Sequence, residues 1–327
     1  MRKFVVEYGA DESGKEARTL DFQSILTQML LLFFMLALGY LVAKLGIMGK
    51  NATKDLSNLV ICVTNPCSIV YSVLSSERIL SNTQVFELTG LSVGVFAFAI
   101  FVAAFVPKLL RTAPEDAGLY RFMTVLPNAS FIGFPVVRAV FGSNAVFYAA
   151  VHCLVFQFVL YTYGLRQISK RPEDRKISWR TFCQPIVIAA ILGYIFYLTD
   201  FHAPTFAVSA LGMVDQLSTP LATLVIGYAL AAIPLKQTFC TWRLYPLIAL
   251  RQLVVPVCCF LLLRLVVSNE LILGILVIMS MMPIANMSTM FCAKYGGNEA
   301  LAAGGVFLST AFSVIGIPFL MRILFGV

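Results

Sequence analysis

Amide and hydroxyl side chains gather where the apolar runs of this chain are interrupted. Asn128 and Ser130 lie between Pro127 and Pro135, Asn286, Ser288 and Thr289 follow Pro283, and Asn65 and Ser68 flank Pro66. Such groups donate and accept hydrogen bonds without titrating near neutral pH, so they suit recognition of a polar or anionic guest better than proton transfer. Neither the 121–142 stretch nor the 275–296 stretch places an Asp or Glu at its interruption, which argues against a cation/proton antiporter with a central carboxylate. Enzyme signatures are missing too: there is no DDxxD, HExxH, GxSxG or phosphate loop, and the only histidines are His152 and His202. The cysteines at 62, 67, 153, 183, 240, 258, 259 and 292 show no CxxC spacing. They read as small buried hydrophobes, with no metal, cofactor or disulfide expected.

The elements that must position these side chains are membrane helices. The chain is 59% hydrophobic and 12% charged, with a mean hydropathy of +0.87, outside the range of soluble domains. Its net charge of +8 sits in short connections, where basic residues set orientation, and no nucleic-acid signal accompanies it. Residues 1–21 read as a solvated tail without the apolar core of a signal peptide, and Met29 offers an alternative start. Apolar runs of about 20 residues, the length that crosses ~30 Å of hydrocarbon, then follow one another. Spans are expected near 23–46, 55–75, 84–107, 119–141, 144–165, 183–200, 206–233, 245–267, 268–293 and 299–323.

The connections after odd-numbered spans hold 15 Lys and Arg, against Arg78, Arg138 and Arg264 in the even-numbered ones. That bias puts the odd connections in the cytoplasm and both termini outside a cell (inner) membrane. Asp215, Glu87 and His152 are ionisable groups near the outer ends of spans, where interface positions are expected. The basic connection 166–182 separates an extracellular tail (1–22) and five spans (23–165) from five more (183–327). Five is odd, so two similar halves must lie in opposite orientations. A displacement of 154 residues supports such a repeat: Leu38-Gly39-Tyr40 falls on Leu192-Gly193-Tyr194, Asn65-Pro66 on Thr219-Pro220, and Phe141-Gly142-Ser143-Asn144 on Tyr295-Gly296-Gly297-Asn298.

The same displacement carries the interrupted stretch Arg121–Gly142 onto 275–296, which is interrupted at Pro283. A proline inside a helix costs about 3 kcal/mol unless the freed backbone groups find partners. In hydrocarbon that requires surrounding protein or a watery cavity, and paired discontinuous helices build the substrate sites of secondary transporters. Uncharged donors and the positive ends of half-helices suit an anion, a carboxylate being the simplest. The candidate substrate-binding positions are Asn128, Ser130, Pro135, Pro283, Asn286, Ser288 and Thr289, joined by Asn65 and Ser68 beside Pro66. Two simpler roles stay open: the asparagines cap broken backbone or glue helices, and the Pro66 and Pro220 regions only shape packing. A membrane sensor that binds a ligand without moving it is the rival outside transport, and an attached signalling domain would discriminate it.

Leu126-Pro127-Asn128, Gly133, Pro135 and Ala139 to Gly142 resemble the fourth-helix motif of the auxin efflux carrier family, which includes the plant PIN carriers and bacterial permeases for malate and other dicarboxylates. Met282-Pro283, the run Ala293 to Asn298 and Leu308-Ser309-Thr310 resemble the family's ninth and tenth helices, and LGY at 38–40 with NPCS at 65–68 its first two. The resemblance implies an all-α fold of ten transmembrane helices, two inverted five-helix repeats with broken, crossing helices 4 and 9, similar to the bile-acid/sodium symporter superfamily. It implies a scaffold of helices 1, 2, 6 and 7 and a moving domain of helices 3–5 and 8–10, with Asn128 as the carboxylate contact and Pro135 as the crossover proline. Coupling to protons or sodium and a homodimer through the scaffold stay open, as does a sodium-coupled symporter of the bile-acid type. The family's additional proline near 287–288 is missing here and the central connection is short, which favours a small organic acid over auxin.

Overall fold

The computed structural model describes residues 5–6, 18–19, 22–49, 52–75, 79–169, 183–231 and 235–326. Most of the expected N-terminal tail and of the 166–182 connection lies outside the described residues. Within the tail, Val5–Val6 pairs antiparallel with Arg18–Thr19; every other described element is helical.

Helix α1 spans Phe22–Lys44. Helix α2 runs through Ala52–Leu59, a wide π turn at Val60–Thr64, and Asn65–Leu74. Helix α3 spans Asn82–Leu109 and starts at a capping box in which Ser81 and Gln84 satisfy each other's backbone N–H groups. The fourth helix is broken into α4a, Ala117–Val125, and α4b, Phe134–Phe141, the latter entered through a π turn at Ala129–Gly133. Helix α5 covers Val146–Val159, Leu160–Gly164 and Leu165–Ile168. Helices α6 and α7 are Pro185–Thr199 and Thr205–Leu230. A short helix, Leu235–Cys240, precedes α8, which covers Leu244–Ala249, Leu250–Val254 and Val255–Val266. The ninth is broken into α9a, Glu270–Met281, and α9b, Met287–Tyr295, and α10 spans Glu299–Phe325. Among the described residues, six helices (α2, α3, α5, α7, α8 and α10) are long and apolar enough to cross a membrane, and the other four expected spans carry shorter apolar helices.

Prolines shape these helices in a repeated way. Asn65, Phe134 and Val255 each precede a proline, and each donates its N–H five residues back, to Val60, Ala129 and Leu250 respectively. Widening the turn moves the carbonyl that would collide with the proline ring, so the helix continues instead of stopping. Pro66, Pro135 and Pro256 are therefore absorbed, and the two interrupted stretches break at Pro127 and Pro283, which corrects the expectation that Pro135 interrupts its helix.

Helix α1 lies along α7, and α2 packs on α6 and α7; α3 packs on α4a and α5, α8 on α9a, and α9b on α10. Half-helix α9a is central, with every residue from Leu271 to Met281 buried, as its all-round apolar surface requires. The α1/α7 contact is made backbone to backbone. A Cβ on Gly39 would stand 2.1 Å from the Leu224 carbonyl oxygen, and one on Gly227 1.8 Å from that of Leu36. Association inside lipid relies on this close approach at small residues, because apolar side chains gain nothing over lipid tails. Gly39→Ala is accordingly expected to cost about 1–3 kcal/mol, read as a lower melting temperature in detergent. Gly94→Ala on α3, where an added Cβ meets nothing within 4 Å, should melt as wild type. Equal melting of the two variants would rule out the backbone contact.

Candidate functional site: the crossing of two broken helices

The two interruptions meet. Asn128 donates its backbone N–H to the Pro283 carbonyl at 2.7 Å, and Ala285 donates to the Leu126 carbonyl at 3.1 Å, forming an isolated antiparallel bridge between Pro127 and Ile284. The Ile284 N–H is taken by Ser309 Oγ of α10 at 3.0 Å. Asn128 is the centre of an inverse γ-turn, with φ −77° and ψ 68° and the Ala129 N–H donated to the Pro127 carbonyl at 2.9 Å. Its carbonyl accepts from Gly133 at 3.1 Å and so starts the following π turn. Much of the backbone freed by the prolines thus finds protein partners, as a break inside an apolar bundle must.

The side chains at the crossing are less completely used. Asn128 is 4% exposed, and its Nδ2 has no hydrogen-bond partner. Neither Asn128 nor Asn286 caps its half-helix through its side chain, in contrast to Asn269 and Asn298, which cap α9a and α10. The Ser130 carbonyl accepts from Asn65 Nδ2 at 3.4 Å. Asn65 in turn accepts from Ser218 Oγ of α7 at 2.7 Å, so α2, α7 and the first break share one buried chain of hydrogen bonds. Pro135 is buried and, with Ile132 and Ile226, lines an apolar cavity of 20 Å³. Pro283 contributes its carbonyl, and Thr289 donates to the Asn286 carbonyl at 2.7 Å. Ser68 and Ser288 are buried hydroxyls without partners. Of the candidate residues, the structure joins Asn128 to Pro283, Asn65 to Ser130 and Thr289 to Asn286, while no hydrogen bond ties Ser68, Ser288 or Asn286 to Asn128.

Several groups near the crossing carry no local sequence signal or an easily overlooked one. Ser218 sits in an ordinary apolar helix, and Ser309 stood out only within the Leu308-Ser309-Thr310 resemblance, with no role attached to it. Arg251 and Gln252, on the π turn of α8, are each 2% exposed and donate to the Ser280 and Met281 carbonyls at 3.0 and 3.4 Å, at the end of α9a. A lone arginine within an apolar run was the available signal for the first of these.

Three expectations are corrected. Asp215 is not at an interface: it is 3% exposed and forms a bidentate ion pair with Arg138, with Arg138 Nη1 2.8 Å from Oδ2. Arg138 is correspondingly a buried-face partner on α4b and not a loop charge. His152 is 1% exposed, stacked on Phe96 with ring centres 4.9 Å apart and 3.0 Å from Ser92 Oγ. The same hydroxyl lies 2.7 Å from the Leu88 carbonyl. Glu87 does lie on an exposed face. Of the cysteines, Cys62, Cys183 and Cys240 are exposed, and all eight are free. No cluster of His, Cys, Asp or Glu among the described residues could hold a metal ion. What the crossing offers is buried amide and hydroxyl donors.

Comparison with known proteins agrees with the geometry. A family described as membrane transport protein matches residues 24–321. An uncharacterized transporter of Methanocaldococcus jannaschii is 26% identical over 299 residues, 88% of this chain and 94% of that protein. A second uncharacterized transporter, from Methanothermobacter thermautotrophicus, is 25% identical over 294 residues, covering 86% and 92%. With nearly the whole apolar region matched, including both halves of each broken helix, the chain belongs to the membrane transport protein family, that of the auxin efflux carriers.

Proposed function

We propose that this membrane transporter is a secondary carrier of a small organic anion, a mono- or dicarboxylate, bound where the fourth and ninth helices cross. The observation that carries this reading is Asn128: its backbone is fixed to the opposite break, while its buried Nδ2 is left without a partner. An unsatisfied buried donor costs about 1–3 kcal/mol, a cost that a carboxylate oxygen arriving at the amide would offset. In this reading the halves are inverted repeats, α1, α2, α6 and α7 form a fixed scaffold, and α3–α5 with α8–α10 slide against it, carrying the crossing from one face to the other. The glycine-mediated α1/α7 contact supports a rigid scaffold. In this reading both termini face outward in a cell membrane, an orientation that the bias of basic residues supports.

Uptake of labelled succinate, malate and benzoate into proteoliposomes, with and without sodium and proton gradients, tests the assignment. Saturable uptake of at least one, competed by its unlabelled form, is expected. Uptake confined to neutral or cationic solutes would overturn it.

A further inference from the structure

Arg251 is buried beside the crossing with no counter-ion among the described residues. Its guanidinium donates to the Ser280 carbonyl, its Nε has no partner, and the ion pairs formed between described residues are Arg138–Asp215 and Arg264–Glu270. Arginine does not shed its proton to escape burial, so a full positive charge resides there.

That charge changes the electrostatics of the crossing. Each half-helix end carries roughly half an elementary charge, positive at N-termini and negative at C-termini. The crossing assembles two C-terminal ends, α4a and α9a, and two N-terminal ends, those leading into α4b and α9b. Their sum is close to zero, so the crossed breaks alone favour neither anion nor cation. Arg251 and Gln252 cover the α9a carbonyls, and Arg251 adds a whole positive charge. The other half has no equivalent: the 154-residue displacement puts Ala97 opposite Arg251. Ser280 is three residues from Pro283, at most ~10 Å of extended chain, and the Pro283 carbonyl is bonded to Asn128.

We propose that Arg251 is the specificity-determining charge that makes the crossing select anions. It acts through its field from behind α9a and not by touching the substrate. This rests on the reading of the crossing as the substrate site. For a unit charge at about 10–15 Å and an effective dielectric near 20, Coulomb's law gives roughly a five- to fifteenfold preference for a carboxylate over an uncharged isostere.

The experiment compares succinate, malate and benzoate with their uncharged amides as ligands of the purified protein, by the concentration of each that half-maximally raises its melting temperature. The wild type should prefer the carboxylate. Arg251→Lys, which keeps the charge, should preserve the ratio. Arg251→Gln, which keeps a donor for Ser280, and Gln252→Glu, which gives Arg251 a neighbouring counter-ion, should each lower it by about fivefold or more. A folded Arg251→Gln or Gln252→Glu protein with the wild-type ratio would show that Arg251 is only a helix cap. Should neither fold, a folded Arg251→Lys protein that loses the ratio overturns the proposal equally. If the wild type itself ignores every carboxylate, the substrate assignment falls and takes this inference with it, an outcome distinct from failure in the variants alone.

Discussion

Asn128→Asp is expected to abolish carboxylate transport, and Asn128→Ala to weaken substrate binding by about 1–3 kcal/mol while leaving the protein's stability unchanged or slightly raised. The Asp side chain matches the amide in volume but replaces donors with a negative charge where an anion must enter. Like-charge repulsion in a poorly solvated setting is worth several kcal/mol. Stability separates this from a structural role. If the amide held the broken backbone together, removing it would unfold the crossing, and Ala would harm the protein at least as much as Asp. The geometry argues otherwise, because Asn128 holds the break through its backbone N–H and carbonyl, which both variants retain, and its Nδ2 bonds to nothing. Substrate affinity and melting temperature measured on both variants decide the matter. Wild-type transport by the Asp variant, or a lowered melting temperature in the Ala variant with unaltered affinity, would remove Asn128 from the site.

The helices and their interruptions were legible in the sequence because lipid imposes a simple length rule and proline a simple penalty. The run from Arg121 to Gly142 is long enough to span but cannot stay helical through Pro127, and the structure breaks it at Leu126–Asn128, while Pro135 is carried inside continuous helix from Ala129 to Phe141. What local sequence could not give was the partner of each polar group. Arg138 and Asp215 are 77 residues apart, Arg138 read as a connection charge and Asp215 as an interface charge; only the tertiary fold, which brings the side chain from α4b to α7, turns them into a pair. Pro66, Pro135 and Pro256 all look disruptive until the preceding N–H is seen bonding five residues back. The link between Asn65 and Ser130 depends on α2 meeting the first break, a contact between segments 65 residues apart. Arg251 stood in plain view as a charge within an apolar run, yet a count of basic residues in the connections passes over it, since it belongs to none of them.

Breaking the Arg138–Asp215 pair is expected to have the largest effect on stability of any single change away from the crossing. The two side chains are 19% and 5% exposed, so removing one partner strands a largely desolvated charge, at a cost of about 3 kcal/mol. Asp215→Asn and Arg138→Met should both show it as lower melting temperatures. The double variant Arg138→Met, Asp215→Leu should recover most of the loss, because well-packed apolar residues can replace a buried pair nearly without cost. Transport then tests the sliding scheme. Arg138 rides on α4b, in the proposed moving domain, while Asp215 belongs to α7 of the scaffold. If those bodies slide past each other, the pair forms in one end state and is lost in the other, biasing the cycle towards the arrangement seen here. Removing both charges should relieve that bias and change the turnover rate on the order of tenfold, the consequence of roughly 1.4 kcal/mol of differential stabilisation. Reversing the pair, with Arg138→Asp and Asp215→Arg together, should restore it. A double variant that is stable and turns over at the wild-type rate would mean that α4b and α7 stay together throughout the cycle, and the division into scaffold and moving domain would have to be redrawn with α7 on the moving side.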